Sequence, residues 1–131
     1  MRDPRETLAR IRAQADAALE GPWEAKSETP TMSGAVWNLR IVGKPGIRMN
    51  VTEWQHGMES AEFIAASRTN VPRLVDALDA VLELHKPIQA SMTNSNGGVT
   101  DVTVCDHCLD PTYPCPTVAA ITRALEGETC D

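Results

Sequence analysis

Three cysteines fall within eleven residues in the run Cys105-Asp106-His107-Cys108-Leu109-Asp110-Pro111-Thr112-Tyr113-Pro114-Cys115. Cys105-x2-Cys108 is the spacing at which a tight turn aims two sulfurs at one point. Cys115 precedes Pro116 at the predicted start of a helix, where the positive end of the helix dipole favours a thiolate. Zinc takes four soft or borderline ligands at tetrahedral corners, and thiolate and imidazole suit it. The sequence therefore predicts a Zn2+ site built from Cys105, Cys108, Cys115 and a fourth ligand.

His85 is the leading candidate for that fourth position. It continues an apolar helical stripe and lies at the predicted helix end, twenty residues before Cys105. His107 is nearer in sequence but sits between the two cysteines, where it would turn away from an ion they share. Cys130, in an acidic tail, and His56, in a loop, remain alternatives. The competing reading is three buried thiols and a core histidine. A third cysteine at a helix start and a histidine on an apolar stripe favour the metal. Four protein ligands leave no open coordination position, so the site is read as structural and the protein as not an enzyme.

The remaining sequence reads as an α+β fold. Residues 4–20 form a helix capped by Asp3, with Pro4 at its first position and Leu8 and Ile11 on its apolar stripe. Trp23–Ser27, Ala35–Val42 and Ile47–Trp54 alternate as about three antiparallel strands, the last two joined through the turn Lys44-Pro45-Gly46. Ser60 caps a short helix over 61–68 with Phe63 and Ile64 turned inward. Asn70 caps a second helix over 71–86, carrying Val71, Leu74, Val75, Leu78, Val81, Leu82 and His85 on one stripe. Residues 88–104 read as a flexible connection, with a weak strand over 99–104 and a flexible Asn94-Ser95-Asn96-Gly97-Gly98. The last helix covers about 116–126 and stops at Gly127. The expected organisation is a core domain over 1–87, the connection over 88–104, and a zinc-held loop and helix over 105–131 packed on that core.

Composition narrows the function. The chain carries 18 acidic and 12 basic residues for a net charge of −6, which disfavours nucleic-acid binding because phosphate neutralisation needs a basic face. The charged start has no apolar signal region and no run is long enough to span a membrane, so the expectation is an intracellular, cytoplasmic protein. Clustered cysteines in that compartment bind metal more often than they form disulfides.

Three blocks carry a resemblance: Leu19-Glu20-Gly21-Pro22-Trp23-Glu24, Ser60-Ala61-Glu62-Phe63-Ile64-Ala65-Ala66-Ser67-Arg68, and Val71-Pro72-Arg73-Leu74-Val75-Asp76-Ala77-Leu78. Together they resemble small accessory proteins of temperate-phage early regions, including ead-like proteins and their actinobacterial phage and prophage relatives. The actinobacterial versions continue with Leu-His-x-Pro and a CxxC…Pro-Cys-Pro-Thr tail, matched here by Leu84-His85-Lys86-Pro87, Cys105, Cys108 and Pro114-Cys115-Pro116-Thr117. The resemblance implies a nonessential phage accessory protein and adds weight to His85 as a ligand. It supplies no chemistry.

Three function classes follow. The first is a zinc-stapled binding protein that engages a host protein or a small signalling molecule. For that class the sheet face carrying Arg40, Arg48 and Trp54 is a candidate ligand-binding face, since an aromatic beside arginines suits anions. A solvated sheet face is the plainer reading of the same residues. The second is a nucleic-acid-binding zinc module, opposed by the net charge and by the lack of Lys or Arg between Cys105 and Cys115. The third is a small metal hydrolase, which would need a missing ligand and a base such as Asp106, Asp110 or His107.

Overall fold

The computed structural model describes residues 3–18, 20–27, 37–41, 48–51 and 57–127. In chain order the elements are α1 (Pro4–Ala17), β1 (Trp23–Ser27), β2 (Trp37–Ile41), β3 (Arg48–Val51), α2 (Gly57–Leu84), β4 (Pro87–Thr93), β5 (Val99–Cys105) and α3 (Pro116–Glu126). The class is α+β, as expected. The chain groups into two compact units, residues 12–75 and residues 1–11 with 76–131, whose boundaries differ from the expected divisions.

In the unit of residues 12–75, β1, β2 and β3 form an antiparallel sheet in that order. Trp23 pairs with Ile41, and Trp37 with Val51. Arg40 and Arg48 are register partners across β2 and β3. Trp54 and the Lys44-Pro45-Gly46 turn lie outside the described residues. Trp23, Ala25 and Ile64 pack around the buried Ala61 and Ala65. Two alanines at this contact let the helix approach the tryptophan closely.

α2 is one helix where the sequence predicts two, and Pro72 lies inside it. An interior proline forfeits a backbone hydrogen bond and costs roughly 3 kcal/mol. Buried Ala61 and Ala65 precede it at helical spacing, and buried Val75 and Leu82 follow it. Burial on both sides outweighs the local break. The same phase corrects three expected inward residues. Phe63 is 75% exposed, Leu74 is 62% exposed, and Val81 is exposed as well. Phe63 stands two residues from both Ala61 and Ala65, about 200° around the helix.

In the other unit, Leu8, Leu82 and Val118 are buried. The Arg5 guanidinium donates through Nη2 to the Leu82 carbonyl at 2.7 Å, and the Asp3 carboxylate accepts from the Arg5 N–H at 2.9 Å. On α3 the buried residues are Val118 and Thr122, and the Thr122 hydroxyl donates to the Val118 carbonyl at 2.8 Å. Gly127 closes that helix in the left-handed region at φ 77.

Residues 88–104, expected to be a flexible connection, are instead most of a hairpin. β4 and β5 pair antiparallel from Pro87↔Cys105 to Thr93↔Val99. Cross-strand side chains reinforce the register: Gln89 donates to Thr103 Oγ1 at 3.0 Å, and Ser91 to Asp101 at 2.8 Å. The apparent linker Asn94-Ser95-Asn96-Gly97-Gly98 is its turn. The Asn94 side-chain oxygen accepts from the N–H groups of Asn96 and Gly98, and Gly97 takes the positive φ of 76 that the reversal requires.

Two outcomes follow. Hydrogen exchange should show alternating protected amides along 87–93 and 99–105, where a loose connection would exchange freely. Asn94→Ala should cost about 1 kcal/mol, seen as faster exchange confined to those two strands.

Candidate metal centre

Three elements and one turn deliver four side chains to one point. α2 ends at Leu84, and His85 extends its last turn by donating its N–H to the Val81 carbonyl at 3.1 Å. β5 ends at Cys105, whose neighbour Val104 is buried on the opposite face of the strand, so both faces are covered at this end. The ladder continues one step further, with the Asp106 N–H donating to the Lys86 carbonyl at 2.9 Å. The chain then folds back on itself. The Leu109 N–H donates to the Cys105 carbonyl at 2.9 Å, and the Cys108 N–H points at Cys105 Sγ at 3.5 Å. Leu109 takes the left-handed φ of 54 to complete this turn. Cys115 occupies the N-cap of α3 with Pro116 next. Its side chain makes no capping hydrogen bond, which leaves the sulfur free for the cluster.

The donor atoms of His85, Cys105, Cys108 and Cys115 all lie within 4.8 Å of one another. Cys105 and Cys115 have no exposed surface, His85 is buried, and Cys108 is exposed. Around His85 Nδ1 the three sulfurs stand at 3.4 Å (Cys105), 3.2 Å (Cys108) and 3.6 Å (Cys115). An imidazole nitrogen has one in-plane position, a proton or a lone pair, and cannot hydrogen-bond three sulfurs at once. A shared ion accounts for the convergence. With metal–nitrogen and metal–sulfur distances of about 2.0 and 2.3 Å at tetrahedral angles, nitrogen and sulfur would be about 3.5 Å apart. The set therefore fits a metal ion such as zinc.

The electrostatics fit the same account. Burial pushes the Cys105 thiol up, but the Cys108 and His107 N–H groups, with His85 and Cys115, more than offset this and bring it to about 7. The Cys108 thiol is pushed up to about 11, by desolvation first and then by the hydrogen bonds and charge of Cys105 and Cys115. The metal-free cluster thus holds one readily ionised thiol beside one that stays protonated. A divalent ion reverses this by stabilising every thiolate it touches.

Comparisons with protein-family models, with curated proteins and with solved structures give no match. The site rests on its own geometry. Of the alternative fourth ligands, His107 is exposed and meets the His85 ring edge-on, with centroids 5.0 Å apart, outside the donor set. His56 and Cys130 lie outside the described residues. Asp110 accepts the Thr112 N–H at 2.8 Å, the local capping role that an aspartate in a turn commonly takes. Beside the ligand loop is a cavity of about 310 Å³ lined by Pro4, Pro87, Pro114 and Val118 together with the polar Asp3, Arg5, Tyr113 and Thr122.

Two residues that shape the site were not anticipated. Leu109 carries a backbone strain that a side chain at this position does not announce. Pro87 begins the strand that pairs with Cys105, and the alternation Ile88-x-Ala90-x-Met92 is the signal that could have found it.

A left-handed leucine costs about 1–2 kcal/mol, partly offset in a glycine variant by the freer unfolded chain. Leu109→Gly should therefore stabilise the metal-loaded protein by about 0.5–1 kcal/mol in chemical denaturation, whereas Leu109→Ala should give no gain. Metal binding should release more than one proton per ion at pH 7, since Cys108 is protonated and Cys105 about half ionised there. Protons are products, so affinity should rise with pH. Chelator competition should show a rise of at least about tenfold per pH unit between 7 and 9.

Proposed function

We propose that this chain is a phage- or prophage-derived accessory binding protein stapled by one structural zinc ion, which engages a host protein or a small signalling molecule. The observation that carries the metal part is the meeting of three sulfurs on one histidine nitrogen. Zinc is the metal of choice because a closed set of three thiolates and one imidazole is soft, four-coordinate and without redox demand. Such a set has no position for a substrate or an activated water, which supports a non-enzymatic role. The phage part rests on the sequence blocks at 19–24, 60–68, 71–78, 84–87 and 105–117. For the small-molecule arm, the proline-walled cavity offers a pocket whose polar groups are Asp3, Arg5, Tyr113 and Thr122.

The ion ties the ends of α2 and β5 and the start of α3 together, so its binding energy is local folding energy. Cys108→Ser should loosen residues 99–131 in hydrogen exchange and leave the β2–β3 pairing intact. Unchanged exchange over 99–131 would count against a structural ion.

Native mass spectrometry of the protein from a bacterial host, before and after acid denaturation, tests the reading as a whole. One zinc per chain, lost on denaturation, is the expected result. A cobalt-substituted sample should show the intense sulfur-to-metal bands of a tetrahedral, thiolate-rich site. A metal-free, fully reduced protein would overturn the proposal. A retained small molecule in the same spectrum would favour the sequestering role over the host-protein role.

A further inference from the structure

Within the proposed zinc centre the three sulfurs are not equivalent. Cys105 and Cys115 are sealed from solvent, and Cys108 is exposed. We propose that Cys108 is a modification site, where a two-electron oxidant of the peroxide class enters the centre, and that Cys105 resolves the product as a disulfide that releases the ion. This rests on the metal reading above.

The chemistry follows from charge and access. Three thiolates and one divalent ion leave the centre with a net charge of −1, so electron density remains on the sulfurs. Of the three cysteines only Cys108 has exposed surface, its sulfur part-buried against His85, so it offers a peroxide the most direct way in. Cys108 thiolate attacks one peroxide oxygen and the O–O bond breaks. The sulfur becomes sulfenic acid, and the other oxygen leaves as hydroxide or alkoxide. The sulfur is oxidised by two electrons and the peroxide is reduced by two.

The resolving thiolate is already at hand. Cys105 and Cys108 share one turn, with the Cys108 N–H directed at Cys105 Sγ at 3.5 Å. Cys105 thiolate attacks the Cys108 sulfur, the S–S bond forms, and hydroxide leaves. Cys115 is the less suitable partner, because it is anchored as the N-cap of α3 beside Pro116. After the step, His85 and Cys115 are the two ligands left of four. Zinc, which changes no oxidation state, dissociates. A thiol reductant returns both sulfurs and the site.

The test uses the full, zinc-loaded chain treated with hydrogen peroxide. A chromophoric chelator reports zinc release, and a sulfenic-acid trap with peptide mapping reports the first sulfur oxidised. The expected result is early trapping at Cys108, then one zinc released per Cys105–Cys108 disulfide, with binding restored by dithiothreitol. Cys108→His keeps four zinc-binding side chains while removing the exposed sulfur, and should slow release by at least about tenfold. First trapping at Cys105 or Cys115, a disulfide to Cys115, or release from Cys108→His at the wild-type rate would overturn the proposal. If that variant fails to hold zinc, the mapping on the wild-type chain decides alone. Wild-type protein isolated without zinc would overturn the metal reading and this inference with it, whereas a zinc-loaded chain oxidised elsewhere first would overturn only this inference.

Discussion

One lone pair cannot serve three sulfurs. That constraint at His85 Nδ1 draws together three segments whose ends are also set locally, by Pro87 after α2 and by Pro116 at the start of α3. α2 runs to Leu84 so that His85 lies one step beyond it, still joined to its hydrogen-bond ladder. β5 stops at Cys105, and α3 begins after Cys115. Among the described residues of this unit few large apolar side chains are fully buried, chiefly Leu8 and Leu82, each contributing about 1.5–3 kcal/mol by burial. A core that small commonly needs a disulfide or a metal to fix it. Two of its most buried residues are cysteines, so the ligands themselves occupy space that aliphatic side chains would otherwise fill.

The local geometry around the donors is built largely from backbone hydrogen bonds. The Asp106 N–H to the Lys86 carbonyl carries the hairpin ladder past its last strand residue and into the ligand loop. The Cys108 amide then turns toward a sulfur, and the Leu109 backbone accepts a left-handed conformation so that the chain can return. The left-handed backbone at Leu109 and the lowered thiol pKa of Cys105 sit in the same turn. Both belong to the turn after Cys105, whose N–H groups at His107 and Cys108 favour the Cys105 thiolate and whose closure sets the Leu109 backbone.

Much of this was legible in the residues. The CxxC spacing, the cysteine before a helix-starting proline and the histidine at the end of an apolar stripe each report local geometry, and local geometry is what spacing encodes. The strands over 23–27, 37–41 and 48–51 were legible for the same reason, since alternation has period two. What failed depended on burial or on hydrogen bonds that no single segment displays. Pro72 after Asn70 reads as a helix start, yet burial of Ala65 before it and Val75 after it keeps α2 continuous. Phe63 reads as core because it is large and aromatic, yet the two alanines beside it set the phase of the helix. Asn94-Ser95-Asn96-Gly97-Gly98 reads as a linker because its composition is that of one. Its turn identity lies in which atoms the Asn94 side chain holds.

The hairpin between the histidine and the first cysteine has an evolutionary corollary. The span from Pro87 to Cys105 is fixed by the pairing of those two residues, whatever the distance from there to the tip. Balanced insertions near Asn94 would lengthen a projecting arm and leave the donor end unmoved, so the tip is free to diversify. A single residue added to one strand would be different, because a one-residue slip moves every side chain of that strand to the other face. Cys105 would then point away from the cluster. Length variation among homologous chains should therefore come in matched increments on the two strands or be absorbed by a bulge, and parity of the hairpin becomes an inherited property of the site.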